Sequence, residues 1–188
     1  MTPTLHFQGQ TIEADVFHAR TLRAASALRA AGVGEGDCVA LMLRNGPLAL
    51  EVMLAARWLG ALWCPINWHF KTDEVNYILS DSGAKVFIAE RELLAGLGEL
   101  AYHEGTTFVA HRDAERTSGD GPEGHWETVR DAAAPLAAEP CAPRGAMFYT
   151  SGTTGRPKGI KRAAATAELA ERGLEVLKHV LGFERTAP

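Results

Sequence analysis

Short apolar runs and helix-patterned stretches trade places along most of this chain, and that alternation restricts its possible folds more than any other feature. The apolar runs are "CVALML" (38–43), "ALWCPI" (61–66), "KVFIA" (85–89), "TTFVA" (106–110) and "AMFY" (146–149). Each has the length of a buried strand, and turn-forming residues such as those of "GEGD", "RNGP" and "DSG" separate them from their neighbours. Strands that are apolar throughout belong in a sheet covered on both faces by helices, and a strand–helix–strand succession builds that sheet from parallel crossovers. The predicted fold is therefore α/β, with a mostly parallel sheet flanked by helices.

The intervening stretches carry helical periodicity. Residues 11–31 place Phe17, Ala24, Leu28 and Ala31 on one side, with Arg20, Arg23 and Arg29 on the rest of the wheel as an expected solvated face. The glycines of "GVGEGD" stop this helix. Residues 48–59 read as a second helix ended by Gly60. Thr72 is placed to cap a third that runs through Leu79 and stops at Asp81-Ser82-Gly83. The acidic pair Asp73 and Glu74 suits the positive end of that helix. Residues 90–100 and, more weakly, 126–133 supply two more. Residues 112–124 form a polar, turn-rich loop, and "AAAPLAAEPCAPRG" reads as a connector. Residues 163–180 suit a helix, but "GFERTAP" closes the sequence with no further strand or cap, which predicts an open reading frame continuing past Pro188.

Composition removes several function classes. A net charge of −4 gives no general attraction to nucleic acid, so any basic site must be local. The aromatic residues Trp58, Trp63, Trp68 and Phe70 are accordingly expected to pack around the second strand rather than to stack bases. His69, in the loop after that strand, reads as a hydrogen-bonded loop histidine. The three cysteines, Cys38, Cys64 and Cys141, are far apart and read as reduced, buried residues of a cytoplasmic protein. The seven histidines show no metal-ligand spacing, so no metal site is predicted. "MTPTLHFQGQ" lacks the cationic and apolar segments of a signal peptide, and no apolar run approaches the ~18 residues of a membrane span.

After the last apolar run comes "YTSGTTGRPKG" (149–159), which holds four Gly or Pro breaks, four Ser or Thr hydroxyls and two cations. Glycines let backbone N–H groups approach an anion without Cβ obstruction, hydroxyls add donors, and Lys158 adds a compact mobile charge. A strand feeding such a loop near the carboxyl edge of a sheet is where open α/β folds hold ligands. A loop that grasps phosphates is the physical reading. It is not G-x-x-x-x-G-K-[ST], because Pro157 stands where the second glycine belongs and Gly159 follows Lys158. It also lacks the second glycine of G-x-G-x-x-G.

"MFYTSGTTGRPKGI" resembles the signature phosphate loop of the adenylate-forming superfamily, which includes acyl-CoA synthetases, luciferases and nonribosomal peptide adenylation domains. Upstream, "LRAAGVGEGDCVALMLRNGP", "WLGALWCPIN" and "DEVNYILSDSGAKVFIAE" look like the superfamily's N-terminal blocks in order, with "PIN" and "LSDSGAK" most like the acyl-CoA synthetase branch. The resemblance implies that 1–188 is the N-terminal portion of an AMP-dependent ligase. Residues 11–144 would be its α/β layer, 146–159 its strand and phosphate loop, and 160–188 the start of the next segment. It implies an AMP-forming acid–thiol ligase that uses ATP, Mg2+ and coenzyme A on a small-molecule carboxylic acid, with a place in fatty acid metabolism. Carried over residue by residue, Thr150, Ser151, Gly152, Thr153, Thr154, Gly155 and Lys158 become the ATP-phosphate contacts, with Lys158 as the catalytic member and Arg156 as a variable loop charge. The superfamily's magnesium glutamate, ribose aspartate, hinge and C-terminal catalytic lysine have no counterparts in this sequence, and "TSGD" (117–120) lies on the wrong side of the phosphate loop for the ribose motif. The fragment alone is expected to be inactive. If Pro188 were a native end, a stand-alone nucleotide- or phosphate-binding module would be the alternative.

Overall fold

The strand Cys38–Met42 (β3) has all five side chains buried, so it needs cover on both faces and both edges. In the computed structural model, which describes residues 4–100, 105–110, 125–150, 157–161, 166 and 172, it has all of these. Leu62–Pro65 (β4) pairs on one side, Ala84–Glu90 (β5) on the other, and Thr106–Ala110 (β6) beyond β5. All three pairings are parallel, as the apolar runs predict.

Alternation along the strands divides the core in two. Val39, Leu41, Val86, Ile88 and Phe108 face the helices Ala14–Ala30 (α1), Pro47–Trp58 (α2) and Trp126–Ala132 (α5), and pack with Leu28, Val52, Ala55 and Trp126. Cys38, Ala40, Met42, Cys64 and Phe87 face Thr72–Ser82 (α3) and pack with Val75, Ile78 and Leu79. Each such aliphatic or aromatic side chain contributes about 1.5–3 kcal/mol by leaving water.

Charge also ties the helices together. Glu51 of α2 is fully buried and accepts from Arg20 of α1 at 2.9 Å and from Arg130 of α5 at 3.1 Å. Burial works against the Arg130 charge, but Glu51 and then Asp131 hold its guanidinium above the ordinary value. Arg23 donates to the carbonyls of Asp131 and Ala133. The arginines of α1 expected to face solvent are therefore largely inter-helix ties. They are drawn inward because a buried carboxylate must be paired.

Several local expectations change. Residues 5–12 form a hairpin, Leu5–Phe7 (β1) with Gln10–Ile12 (β2), turning on Gln8 and Gly9, both at positive φ. The helix expected over 90–100 is only Arg91–Ala95 (α4), since "GLG" follows it. Thr72 does not cap α3. Its hydroxyl accepts from the Gly98 N–H, and the helix start is closed by Glu74 accepting from the Lys71 N–H at 2.8 Å. Gly83 ends α3 at φ +61°, a left-handed position that a β-carbon would strain. Trp68 is 43% exposed rather than packed in the core, with the His69 ring against it, and the His69 N–H donates to Asn67 Oδ1. Cys38 and Cys64 are buried free thiols, whereas Cys141 is only half-buried. The hydrogen-bonding Cys38 neighbour and burial together push the Cys64 thiol well above its ordinary range. The expected loop at 112–124 and helix at 163–180 fall outside the described residues, apart from Thr166 and Arg172. Among the described residues, no helix is long and apolar enough to cross a membrane.

Candidate functional site: the hairpin that carries the glycine-rich loop

The chain approaches the motif along the outer edge of β4. Ala146 forms one parallel bridge with Trp63, and the Met147 N–H donates to the Trp63 carbonyl at 2.9 Å, so the backbone runs with the sheet. It then leaves. Phe148–Thr150 (β7) pairs antiparallel with Lys158–Ile160 (β8) in a separate two-stranded sheet. The strand predicted at 146–149 is thus a single bridge followed by a hairpin arm, and β8 is an element that the lone apolar residue of "KGI" does not announce.

Register decides what the hairpin presents. Phe148 faces Ile160, Tyr149 faces Gly159, and Thr150 faces Lys158. Tyr149 and Gly159 turn inward, while Phe148, Thr150, Lys158 and Ile160 are exposed on the other face. The Phe148 and Trp63 rings meet edge to face, with centroids 5.8 Å apart. A β-carbon at Gly159 would lie 2.8 Å from Tyr149 Cζ and would also collide with Met147 Cε. Glycine there lets the Tyr149 ring lie across the opposite strand, an aromatic cover over a bare backbone position.

Of the predicted phosphate contacts, the structure brings Thr150 and Lys158 together as cross-strand partners on one exposed face. Ser151, Gly152, Thr153, Thr154 and Gly155 lie outside the described residues, as does Arg156. The pairing places one hydroxyl and one ammonium side by side where the glycine-rich segment leaves and re-enters the hairpin. That is donor chemistry for an anion.

Two residues of α3 reach the same hairpin. The Tyr77 hydroxyl donates to the Pro157 carbonyl at 2.9 Å, and the Tyr149 hydroxyl donates to Asp81 Oδ2 at 2.7 Å. Burial first, then the Asp81 carboxylate, pushes the Tyr149 phenol far above its ordinary range. No local signal marks Tyr77 or Asp81 as a tether in the sequence, since their partners are 80 and 68 positions away.

The crevice where open sheets commonly bind ligands lies elsewhere. Strand order reverses between β3 and β5, and there Arg44 donates from its backbone to Glu90 Oε1 at 2.7 Å and from Nη1 to Glu90 Oε2 at 2.6 Å. Its guanidinium also meets Glu92 and stands 5.6 Å from the Trp68 ring centroid. The Arg44–Glu90 ion pair stands at that point, and the motif hangs beside the edge strand β4 instead. Among the described residues there is no group of three or more His, Cys, Asp or Glu able to hold a metal ion.

Comparison with known proteins gives one consistent result. The family described as AMP-binding enzyme matches residues 2–174. A fatty acid–[acyl-carrier-protein] ligase of Streptomyces coeruleorubidus is 31% identical over 93% of this chain and 33% of its own length. A long-chain-fatty-acid–CoA ligase of Mycobacterium tuberculosis is 36% identical over 73% of this chain and 27% of its own. The solved apo structure of MatB from Rhodopseudomonas palustris superimposes with a TM-score of 0.71 at 25% identity, covering 92% of this chain and 33% of that one. The chain thus spans about a third or less of the length of these relatives.

Proposed function

The chain belongs to the AMP-binding enzyme family, and from that premise we propose that it supplies the phosphate-handling part of an AMP-forming acid–thiol ligase. In the first half-reaction a carboxylate oxygen attacks the α-phosphorus of ATP. The bond from that phosphorus to the oxygen bridging to the β-phosphate breaks, and pyrophosphate departs. The acyl-adenylate is then attacked at its acyl carbon by the thiol of coenzyme A, and AMP leaves. No protein nucleophile is required, so the protein's task is to position the phosphates and to stabilise charge as it builds on the leaving group.

The observation that carries this reading is the Thr150–Lys158 cross-strand pair on the exposed face of the hairpin. The Lys158 ammonium supplies charge to the departing pyrophosphate and the Thr150 hydroxyl donates beside it. Ser151, Gly152, Thr153, Thr154 and Gly155 would supply hydroxyl and backbone donors to the β- and γ-phosphates. Magnesium would neutralise further phosphate charge through ligands contributed from outside these residues. The acid is a fatty acid, a reading supported by the kinds of ligase to which the chain is similar, and the free thiols of Cys38 and Cys64 support a cytoplasmic compartment.

Product analysis tests the proposal. The full chain encoded by the gene is incubated with ATP, Mg2+, a panel of carboxylic acids and either coenzyme A or a phosphopantetheinylated carrier protein. AMP, pyrophosphate and an acyl-CoA thioester are the expected products. ADP in place of AMP contradicts the reaction class, and thioester formed only on the carrier protein contradicts the acceptor.

A further inference from the structure

We propose that Tyr77 and Asp81 of α3 are positioning residues for ATP: together they hold both arms of the hairpin in register, and so set the Thr150–Lys158 pair against the phosphates. The inference rests on the reading of the hairpin as the phosphate site. Tyr77 and Asp81 lie four positions apart on α3, so both sit on one side of the helix. Each reaches a different arm at the residue just before its functional member. Tyr77 holds the carbonyl of Pro157, next to Lys158, and Asp81 holds the hydroxyl of Tyr149, next to Thr150. The two rings also meet edge to face, with centroids 6.3 Å apart at 82°. One helix face therefore grips both strands of the hairpin.

The hairpin needs such a grip. Its strands are three residues each, and two-stranded ribbons of that size are marginal in water. Its outward face, Phe148 and Ile160 at its base, is about half exposed and contributes little burial. The inward face offers one ring over a glycine. The tethers meet the hairpin at the Pro157 carbonyl and the Tyr149 hydroxyl, so they act on the phosphate contacts through the backbone and through Tyr149.

The test uses the full chain as its gene encodes it, with Tyr77→Phe, Asp81→Ala and Asp81→Asn variants. Hydrogen–deuterium exchange of the amides of 148–150 and 158–160 reads the grip without requiring activity, and steady-state adenylation reads its consequence. Tyr77→Phe is expected to raise hairpin exchange, and KM for ATP, by about three- to tenfold, the effect of one lost neutral hydrogen bond, and Asp81→Ala by about ten- to a hundredfold, because its bond is to a charged group. KM for the carboxylate and exchange in β3 and β5 should stay within about twofold of the parent, below the scale of one lost hydrogen bond. Asp81→Asn keeps a neutral acceptor for Tyr149 and should stay closer to the parent protein than Asp81→Ala does. Unchanged hairpin exchange in both disruptive variants overturns the proposal, as does equal loss of affinity for both substrates. A parent protein that shows no adenylation while the variants still loosen the hairpin overturns the functional reading and the role toward ATP, and leaves the grip itself established.

Discussion

All five side chains of β3 are buried, whereas four of the six residues in β7 and β8 are exposed. The two regions are adjacent, joined through the bridge between Trp63 and Ala146, yet they are held by different forces. The sheet is fixed by apolar packing on both faces and by the buried Arg20–Glu51–Arg130 cluster that locks three helices over one of them. The hairpin is fixed by its ladder, by Tyr149 lying over Gly159, and by two hydroxyl hydrogen bonds to α3. Residues that must meet a charged ligand in water cannot also be buried in a core. The chain builds an apolar platform and hangs the polar site from its edge by a few directional contacts.

If that division is right, changes to the platform cost stability and changes to the hairpin cost function. The largest stability loss is expected at Glu51. Glu51→Ala leaves Arg130 buried without its main partner and should lower unfolding free energy by about 3–5 kcal/mol, measured by urea titration. Activity per folded molecule should be retained, and a selective loss of ATP affinity instead would break the comparison. Gly159→Val comes next. Its side chain enters the space of the Tyr149 ring, with a local cost on the order of 1–3 kcal/mol, and it should raise hairpin amide exchange and KM for ATP while β3 keeps its protection. Uniform loss of protection across the sheet would mean that hairpin and platform form one unit.

The smallest effect concerns pH. An unfolded tyrosine ionises near ~10, whereas burial and Asp81 keep the Tyr149 phenol protonated beyond that value. The folded state therefore binds the proton more tightly. The contribution of Tyr149 is constant below pH ~10 and declines as pH rises further, because only the unfolded chain then releases its proton freely. The phenolate absorbance of the native protein should include a late-titrating component that Tyr149→Phe lacks. An ordinary titration of every tyrosine would remove the Asp81 hydrogen bond from the account.

The same contrast explains what could be read from the sequence. The strands β3, β5 and β6 were legible because apolar runs of that length have few alternatives, and Gly60 and Gly83 mark real helix ends. The hairpin β1–β2 is not announced by hydrophobic pattern, because "LHFQGQTI" is largely polar, although Gly9 at its centre favours a turn. Strand β8 is a strand because β7 pairs with it, not because "KGI" favours one. Glu51 offered a hint, a lone carboxylate among the apolar residues of α2, but its arginines lie 31 and 79 positions away. Of the candidate site, the motif 149–159 announces donor chemistry for an anion in its residue types alone, whereas the grip by Tyr77 and Asp81 depends on contacts that only the folded chain creates.

The central claim is that Lys158, paired across the hairpin with Thr150, handles the phosphates of ATP during adenylation. Carboxylate-dependent exchange of labelled pyrophosphate into ATP reports that half-reaction without the thiol step. The full chain is predicted to exchange, and Lys158→Ala to reduce the rate by roughly 10²–10³, the usual cost of removing one preorganised donor to developing charge. A Lys158→Ala protein that exchanges at the parental rate would contradict the claim.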